Sequence, residues 1–223
     1  MKLIAIKSMH PTNEFAPSWN IPMHLSQWED YQSIDKIKNF LISKEPTLIG
    51  EAPKLLISRP TSRDSVFEYA EELPAIDTLL TFLRISYIYF IHNSHCELRD
   101  SWITSWYNIV HKGQSISEHL HDTGASSHIS ANMHLDNYKT TTDYIIPFDK
   151  ENISPFPNQK GNLIMFPSYL PHRVNEHTED NLRVSLAFDI TLEKPNQHTS
   201  IKFMDNDILS SLDVVRPNIQ ERE

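Results

Sequence analysis

From Ser101 onward the hydrophobic period of the chain becomes two, and this switch constrains the fold more than any other feature. "SWITSWYNIV", "SHISANMHL", "TTDYIIPF", "GNLIMF" and "LRVSLAFDI" read as strands, separated by Pro, Asn, Asp and Gly. Before that point two segments carry a helical period. In "SQWEDYQSIDKIKNFLISKE", Ser26 is placed to cap a helix whose apolar stripe runs through Ile34, Ile37, Phe40 and Leu41. In "LPAIDTLLTFLRISYIYFIHN", Pro74 suits a first turn, and Ile76, Leu79, Leu80, Leu83, Tyr87, Phe90 and Ile91 recur at spacings of three and four. Helices first and short strands after predict a mainly β fold with flanking helices (α+β). Its core would be an antiparallel jelly-roll or cupin-like barrel with the helices packed outside.

The 223 residues fit one domain. Residues 1–97 read as an N-terminal helical flanking region, 101–192 as the jelly-roll core, and 193–223 as a C-terminal extension. In that extension "SIKFMDNDILSSLDVV" suits an extra strand or a short helix. Four Trp, ten Phe and eight Tyr supply a folded core. With only four Gly, and neither GxxxxGK[ST] nor GxGxxG, the common nucleotide-binding loops are excluded. The lone Cys96 excludes an internal disulfide and a cysteine zinc cluster, which suits a reducing cytoplasm. A net charge of −9 works against a broad nucleic-acid footprint. No apolar run approaches membrane-spanning length, and "MKLIAIK" holds too short a run for a signal core. The expectation is a soluble cytoplasmic protein, with a homodimer as the default if it associates.

Two strands have a polar face. In "LRVSLAFDI", Val184, Leu186, Phe188 and Ile190 line one side, and Arg183, Ser185, Ala187 and Asp189 the other. In "ISANMHL", Ser130, Asn132 and His134 oppose Ile129, Ala131, Met133 and Leu135. Such a face is either wet or encloses a polar cavity.

Four of the twelve histidines crowd "SEHLHDTGASSHISANMHL". If residues 118–122 are a strand or its end, His119 and His121 share a face, and Glu118, Leu120 and Asp122 turn away. Two imidazoles from one strand supply adjacent positions on a metal. His172, about fifty residues on and after a Pro-marked turn, is the best third ligand. His128 reads as an ordinary loop histidine, and His134 as either cavity lining or a hydrogen-bonded core residue. Trp106 and Asn108 read as core and strand-capping residues. Arg183 opens the last clear strand with Ser185 on the same face; a guanidinium there is costly to bury unless an anion meets it.

The order HxH, a long gap, H, a short gap, RxS resembles the iron(II)- and 2-oxoglutarate-dependent oxygenases. More narrowly it is similar to a 2-oxoglutarate/iron(II) oxygenase family of bacterial and phage genomes, with the pattern sWxN…G…HxH…SGvyY…G.l.lFPs.l.H…R.s.sF. The matching residues are Trp106-Tyr107-Asn108, Gly113, His119-Leu120-His121, "ISANMH", "GNLIMFPSYLPH" and "RVSLAF". The earlier "LISRPTSRDSVFEY" is also similar to that family. Here Ser130-Ala131 stands where the pattern has serine-glycine, and His134 stands at its tyrosine.

The resemblance implies a double-stranded β-helix and a hydroxylase that uses Fe(II), O2 and 2-oxoglutarate. It would act on a small molecule or a protein side chain and release succinate and CO2. It implies His119, His121 and His172 as metal ligands. Arg183 and Ser185 would hold the distal carboxylate of 2-oxoglutarate, and Asn132 and His134 would lie beside the cosubstrate. Three histidines depart from the superfamily's usual two histidines and one carboxylate, so Asp122 or Glu118 stays open as a substitute ligand. Two other classes stay open as well: a non-catalytic binding module on the same fold, and a three-histidine cupin-type metalloenzyme without 2-oxoglutarate.

Overall fold

The computed structural model describes residues 1–8, 14–15, 17–51, 65–121, 126–195 and 199–212, with 45–51 described by backbone alone. Two antiparallel sheets face each other. The larger has seven strands in the order β1 (Lys2–Lys7), β2 (Asn20–Gln27), β8 (Asn162–Pro167), β5 (Ser127–His134), β10 (Arg183–Thr191), β3 (Ser101–Val110) and β11 (Ile201–Met204). The smaller has four, in the order β4 (Ile116–His119), β9 (His172–Val174), β6 (Thr141–Ile146) and β7 (Asp149–Pro157).

The alternation seen in the sequence sets which face goes where. Val184, Leu186, Phe188 and Ile190 of β10, with Ile129 and Met133 of β5 and Leu163 and Met165 of β8, form the outer apolar face of the larger sheet. Helices α1 (Tyr31–Glu51) and α2 (Ala75–Asn93) cover that face. They bury Ile34, Ile37 and Leu41 from the first helix, and Ile76, Leu79, Leu83, Tyr87, Phe90 and Ile91 from the second. Burying such side chains stabilises by roughly 1.5–3 kcal/mol each, so helices on this face are the expected outcome. The inner faces of the two sheets enclose a second apolar cluster of Ile21, Met23, Tyr144, Ile146, Ile164 and Phe166. Beside it the inward residues are polar.

The N-terminal region is not only helical. Residues 2–7 and 20–27 form β1 and β2, and β2 pairs with β8, so the chain enters the larger sheet before its first helix. "KLIAIK" and "NIPMHLSQ" do alternate, but in short pieces, the second interrupted by Pro22. Ser26 consequently lies in β2, its hydroxyl 3.0 Å from that of Ser86 on α2. The first helix starts later, where the Asp30 carboxylate accepts a hydrogen bond from the Ser33 amide (3.1 Å). At the other end the chain makes both expected elements: β11, then α3 (Asn206–Ser211), whose N-terminus is capped by Asp205. His128 is no loop residue either. It lies in β5, edge-on to Tyr87 at 6.0 Å and away from the polar cleft.

Gly161 fixes the entry to β8. It has φ +79, a region that costs other residues about 1–2 kcal/mol. A Cβ there would strike the Trp28 carbonyl oxygen and the Gln27 side chain. Its amide donates to the His134 carbonyl (2.8 Å), and its carbonyl accepts from the Trp28 amide (2.9 Å). Gly161→Ala should therefore lower Tm by roughly 5–12 °C, at about 2–4 °C per kcal/mol for a chain of this size. An unchanged melting curve would show that the turn relaxes freely.

His24 is fully buried between the rings of Tyr89 and Phe90, with both ring nitrogens unpartnered. Burial, helped by the N-terminal ammonium, holds its pKa down at about 4 against an ordinary 6.5. Below pH 6.5 the unfolded chain takes up a proton that the folded chain refuses. Stability therefore falls as pH drops from 6.5 to 4, by about 3 kcal/mol from this residue. His24→Phe should flatten that limb in melts run at pH 7.5, 5.5 and 4.5. Equal slopes for the two proteins would sink this account.

Candidate metal and anion site

The polar end of the sandwich is built mainly by three strands of the larger sheet and three of the smaller. In the larger sheet Ser185 lies opposite His134 and Asn108, Ala187 opposite Asn132 and Trp106, and Asp189 opposite Ser130. All of these side chains project inward because the pleat alternates. In the smaller sheet His119 lies opposite His172, which lies opposite Tyr144. The space between is a small cleft lined by Trp106, Asn108, His119, His121, His172 and Arg183.

The three histidines singled out by spacing come together. One ring nitrogen from each of His119, His121 and His172 falls within 4.8 Å of the other two. His119 and His172 have ring centroids 4.3 Å apart, His121 and His172 5.0 Å, and His119 and His121 5.4 Å. Three nitrogens bonded to one ion at about 2.1 Å lie roughly 3.0–3.4 Å apart, so the rings would draw together on binding it.

Each ring has its Nδ1 engaged. His119 Nδ1 lies 2.8 Å from the Ser117 carbonyl and His172 Nδ1 3.2 Å from the Leu170 carbonyl. His121 Nδ1 lies 2.5 Å from Asp189 Oδ1. An acceptor at Nδ1 places the proton there and leaves the Nε2 lone pair for a metal. Burial pushes the pKa of His172 well below 6.5, with His119 and His121 adding to it, and burial likewise lowers His119. Both rings are therefore neutral at pH 7, the form that ligates. The donor set suits a borderline divalent ion such as iron(II) or zinc. Glu118 is exposed, and Asp122 lies outside the described residues.

At the other end of the cleft is Arg183, 1 % exposed. Its Nε and Nη1 are buried without a hydrogen-bond partner, and no ion pair among the described residues includes it. The guanidinium lies 6.0 Å from the ring centroid of Tyr138. Burial holds its pKa down to about 10, so it is still a cation at pH 7. His134, 1 % exposed, has neither ring nitrogen partnered. Burial first, and Arg183 second, depress its pKa well below 6.5. Asn132 gives its amide to the Tyr144 hydroxyl at 2.5 Å and leaves its carbonyl oxygen buried and bare. An unpaired buried charge costs several kcal/mol, and unpaired polar groups add to it. Such a cluster fits an anionic ligand with further hydrogen-bonding groups.

Four residues of the site escaped sequence reasoning. Trp106 is not merely core: it lines the cleft 5.3 Å from the His121 ring, and Asn108 lines it on the same face. Asp189 lies on the inward face that strand alternation predicts, and its carboxylate meets the His121 ring. Tyr144, whose phenol burial keeps protonated, stacks on His172 at 5.7 Å.

The comparisons bear on the same stretch. Residues 104–189 match the model of a family described as "Putative 2OG-Fe(II) oxygenase". A search of curated proteins gives no match. Among solved structures, a prolyl-4-hydroxylase from Pseudomonas putida is similar at a TM-score of 0.56 and 14% identity, over 76% of this chain and 89% of that one. The non-heme alpha-ketoglutarate-dependent carbocyclase SnoK of nogalamycin biosynthesis gives 0.53 and 10%, over 77% and 79%. The epimerase SnoN of the same biosynthesis gives 0.54 and 11%, over 75% and 76%. At these identities the likeness is one of fold: the two facing sheets are those of a double-stranded β-helix.

Proposed function

We propose, from the match of residues 104–189 to the 2OG-Fe(II) oxygenase family model and from the geometry of the site, that the chain is such an oxygenase and hydroxylates a small molecule or a protein side chain. His119, His121 and His172 would hold the iron. One observation carries this function: three imidazoles converge at one end of a cleft whose other end holds a buried Arg183 with Nε and Nη1 unpartnered. A cupin-type enzyme without 2-oxoglutarate would have no use for that guanidinium.

Iron(II) and 2-oxoglutarate, when bound, supply oxygen activation and oxidative decarboxylation to succinate and CO2. The chain supplies position and charge. Arg183 pairs with the distal carboxylate of the cosubstrate, and the Ser185 hydroxyl beside it adds a donor. His134 and the Asn132 carbonyl complete the lining. The Tyr144 hydroxyl accepts from Asn132 and keeps its own proton to donate. Trp106 packs against the His121 ring at 5.3 Å. The lone thiol of Cys96, exposed and free, supports a reducing cytoplasmic location.

Anaerobic addition of iron(II) and 2-oxoglutarate should produce a weak visible charge-transfer band, and admission of air should yield succinate. Absence of both the band and 2-oxoglutarate binding would reject the proposal. A band without succinate would leave a binding module.

A further inference from the structure

The structure assigns to Asp189 the part of an outer anionic partner: it fixes the His121 ring and lends a site of neutral ligands the negative charge they lack. This rests on His119, His121 and His172 as the metal ligands.

The three rings are held unequally. His119 and His172 lean on neutral carbonyls two residues back in their own segments. His121 alone leans on a carboxylate, 68 positions away on β10. Asp189 is itself held. The Ser130 hydroxyl, on the paired strand, donates to Asp189 Oδ1 at 2.6 Å and lies 3.0 Å from the Ser168 hydroxyl. The Ser168 carbonyl in turn accepts from the His121 amide (3.2 Å). Backbone and ring of His121 are thus clamped by one closed network. Asp189 has no cationic side chain on it: among the ion pairs of the described residues its partner is His121.

Charge shows why this matters. Iron(II) and the 2-oxoglutarate dianion cancel, which leaves Arg183 as one uncompensated positive charge in the cleft. The usual carboxylate ligand would balance it from within the coordination sphere. With three imidazoles, Asp189 supplies that charge one bond further out, through His121, and makes the imidazole a stronger donor. Arg183, Ser185 and Asp189 share one face of one strand, so the cosubstrate clamp and its counter-charge are laid down together.

The test is Co(II) titration of apoprotein by visible absorption, beside the iron(II)–2-oxoglutarate band under anaerobic conditions. Asp189→Asn should bind Co(II) about 10–100-fold more weakly. Its charge-transfer band should move to shorter wavelength, because the metal is less electron-rich. Asp189→Glu should recover part of both changes, and apo melting should stay near wild type. If Asp189→Asn does not fold, Ser130→Ala is read instead, with a loss of threefold or more expected. Wild-type metal binding that is lost in His172→Ala but unchanged in Asp189→Asn would overturn the role of Asp189 and leave the metal site standing. No Co(II) or iron(II) binding by wild type would overturn the ligand assignment and this inference together.

Discussion

His172→Ala should remove iron(II) binding at micromolar metal and reduce succinate formation below detection. The physical reason lies in the donor set. The three proposed ligands are imidazoles, so no carboxylate bound to the metal would be left to hold a dication once one ring is gone. His119 and His121 come from one short segment, whereas His172 closes the site from the neighbouring strand β9. Its loss should exceed the roughly 10–100-fold that a partner behind a ligand costs. The fold should survive, though with a void. His172 packs against Phe166 at 4.9 Å and Tyr144 at 5.7 Å, and truncation there should cost about 1–3 kcal/mol. Apo melting separates that cost from the metal effect. A variant that keeps iron and turnover would remove His172 from the ligand set and reopen Asp122 as the carboxylate.

The legible parts of this molecule are those where one strand carries two different faces. β3, β5 and β10 alternate between the core under the helices and the polar cleft, so period two exposed both the strands and the inward residues. His119 and His121 followed from the same rule, although β4 stops at His119 and the second ring is placed by the segment beyond it. β4 and β9 are four and three residues long, and β7, "DKENISPFP", is polar and ends in proline, so local pattern could not mark them. β2 joins its sheet by pairing with β8, more than a hundred residues later, a pairing no local period contains. Asp189, Tyr144 and Trp106 were missed for a related reason. An aspartate behind a histidine becomes meaningful only when β10 is laid beside the β4 segment. Tyr144 stands near a site for which the family pattern has a tyrosine at the position of His134, but it arrives from a different strand.

Arg183→Met should do two opposite things: weaken 2-oxoglutarate binding by at least a hundredfold and raise the stability of the apoprotein. A guanidinium at 1 % exposure with Nε and Nη1 bare is a charge the fold carries at a cost. Replacing buried charges by apolar groups of similar volume is neutral to stabilising by about 1–4 kcal/mol. Met fills the space without demanding a partner, so apo Tm should rise by up to roughly 10 °C. The affinity loss follows from the same bare atoms. Removing one partner of a buried charged pair costs about 2–5 kcal/mol, because the cosubstrate's distal carboxylate would then be desolvated with nothing to meet it. Thermal shift reads both effects in one plate. Metal-loaded wild type should melt higher with millimolar 2-oxoglutarate, whereas Arg183→Met should start higher and not respond. If the variant is instead destabilised and still shifted by 2-oxoglutarate, then Arg183 is satisfied by the protein itself and the carboxylate is held elsewhere.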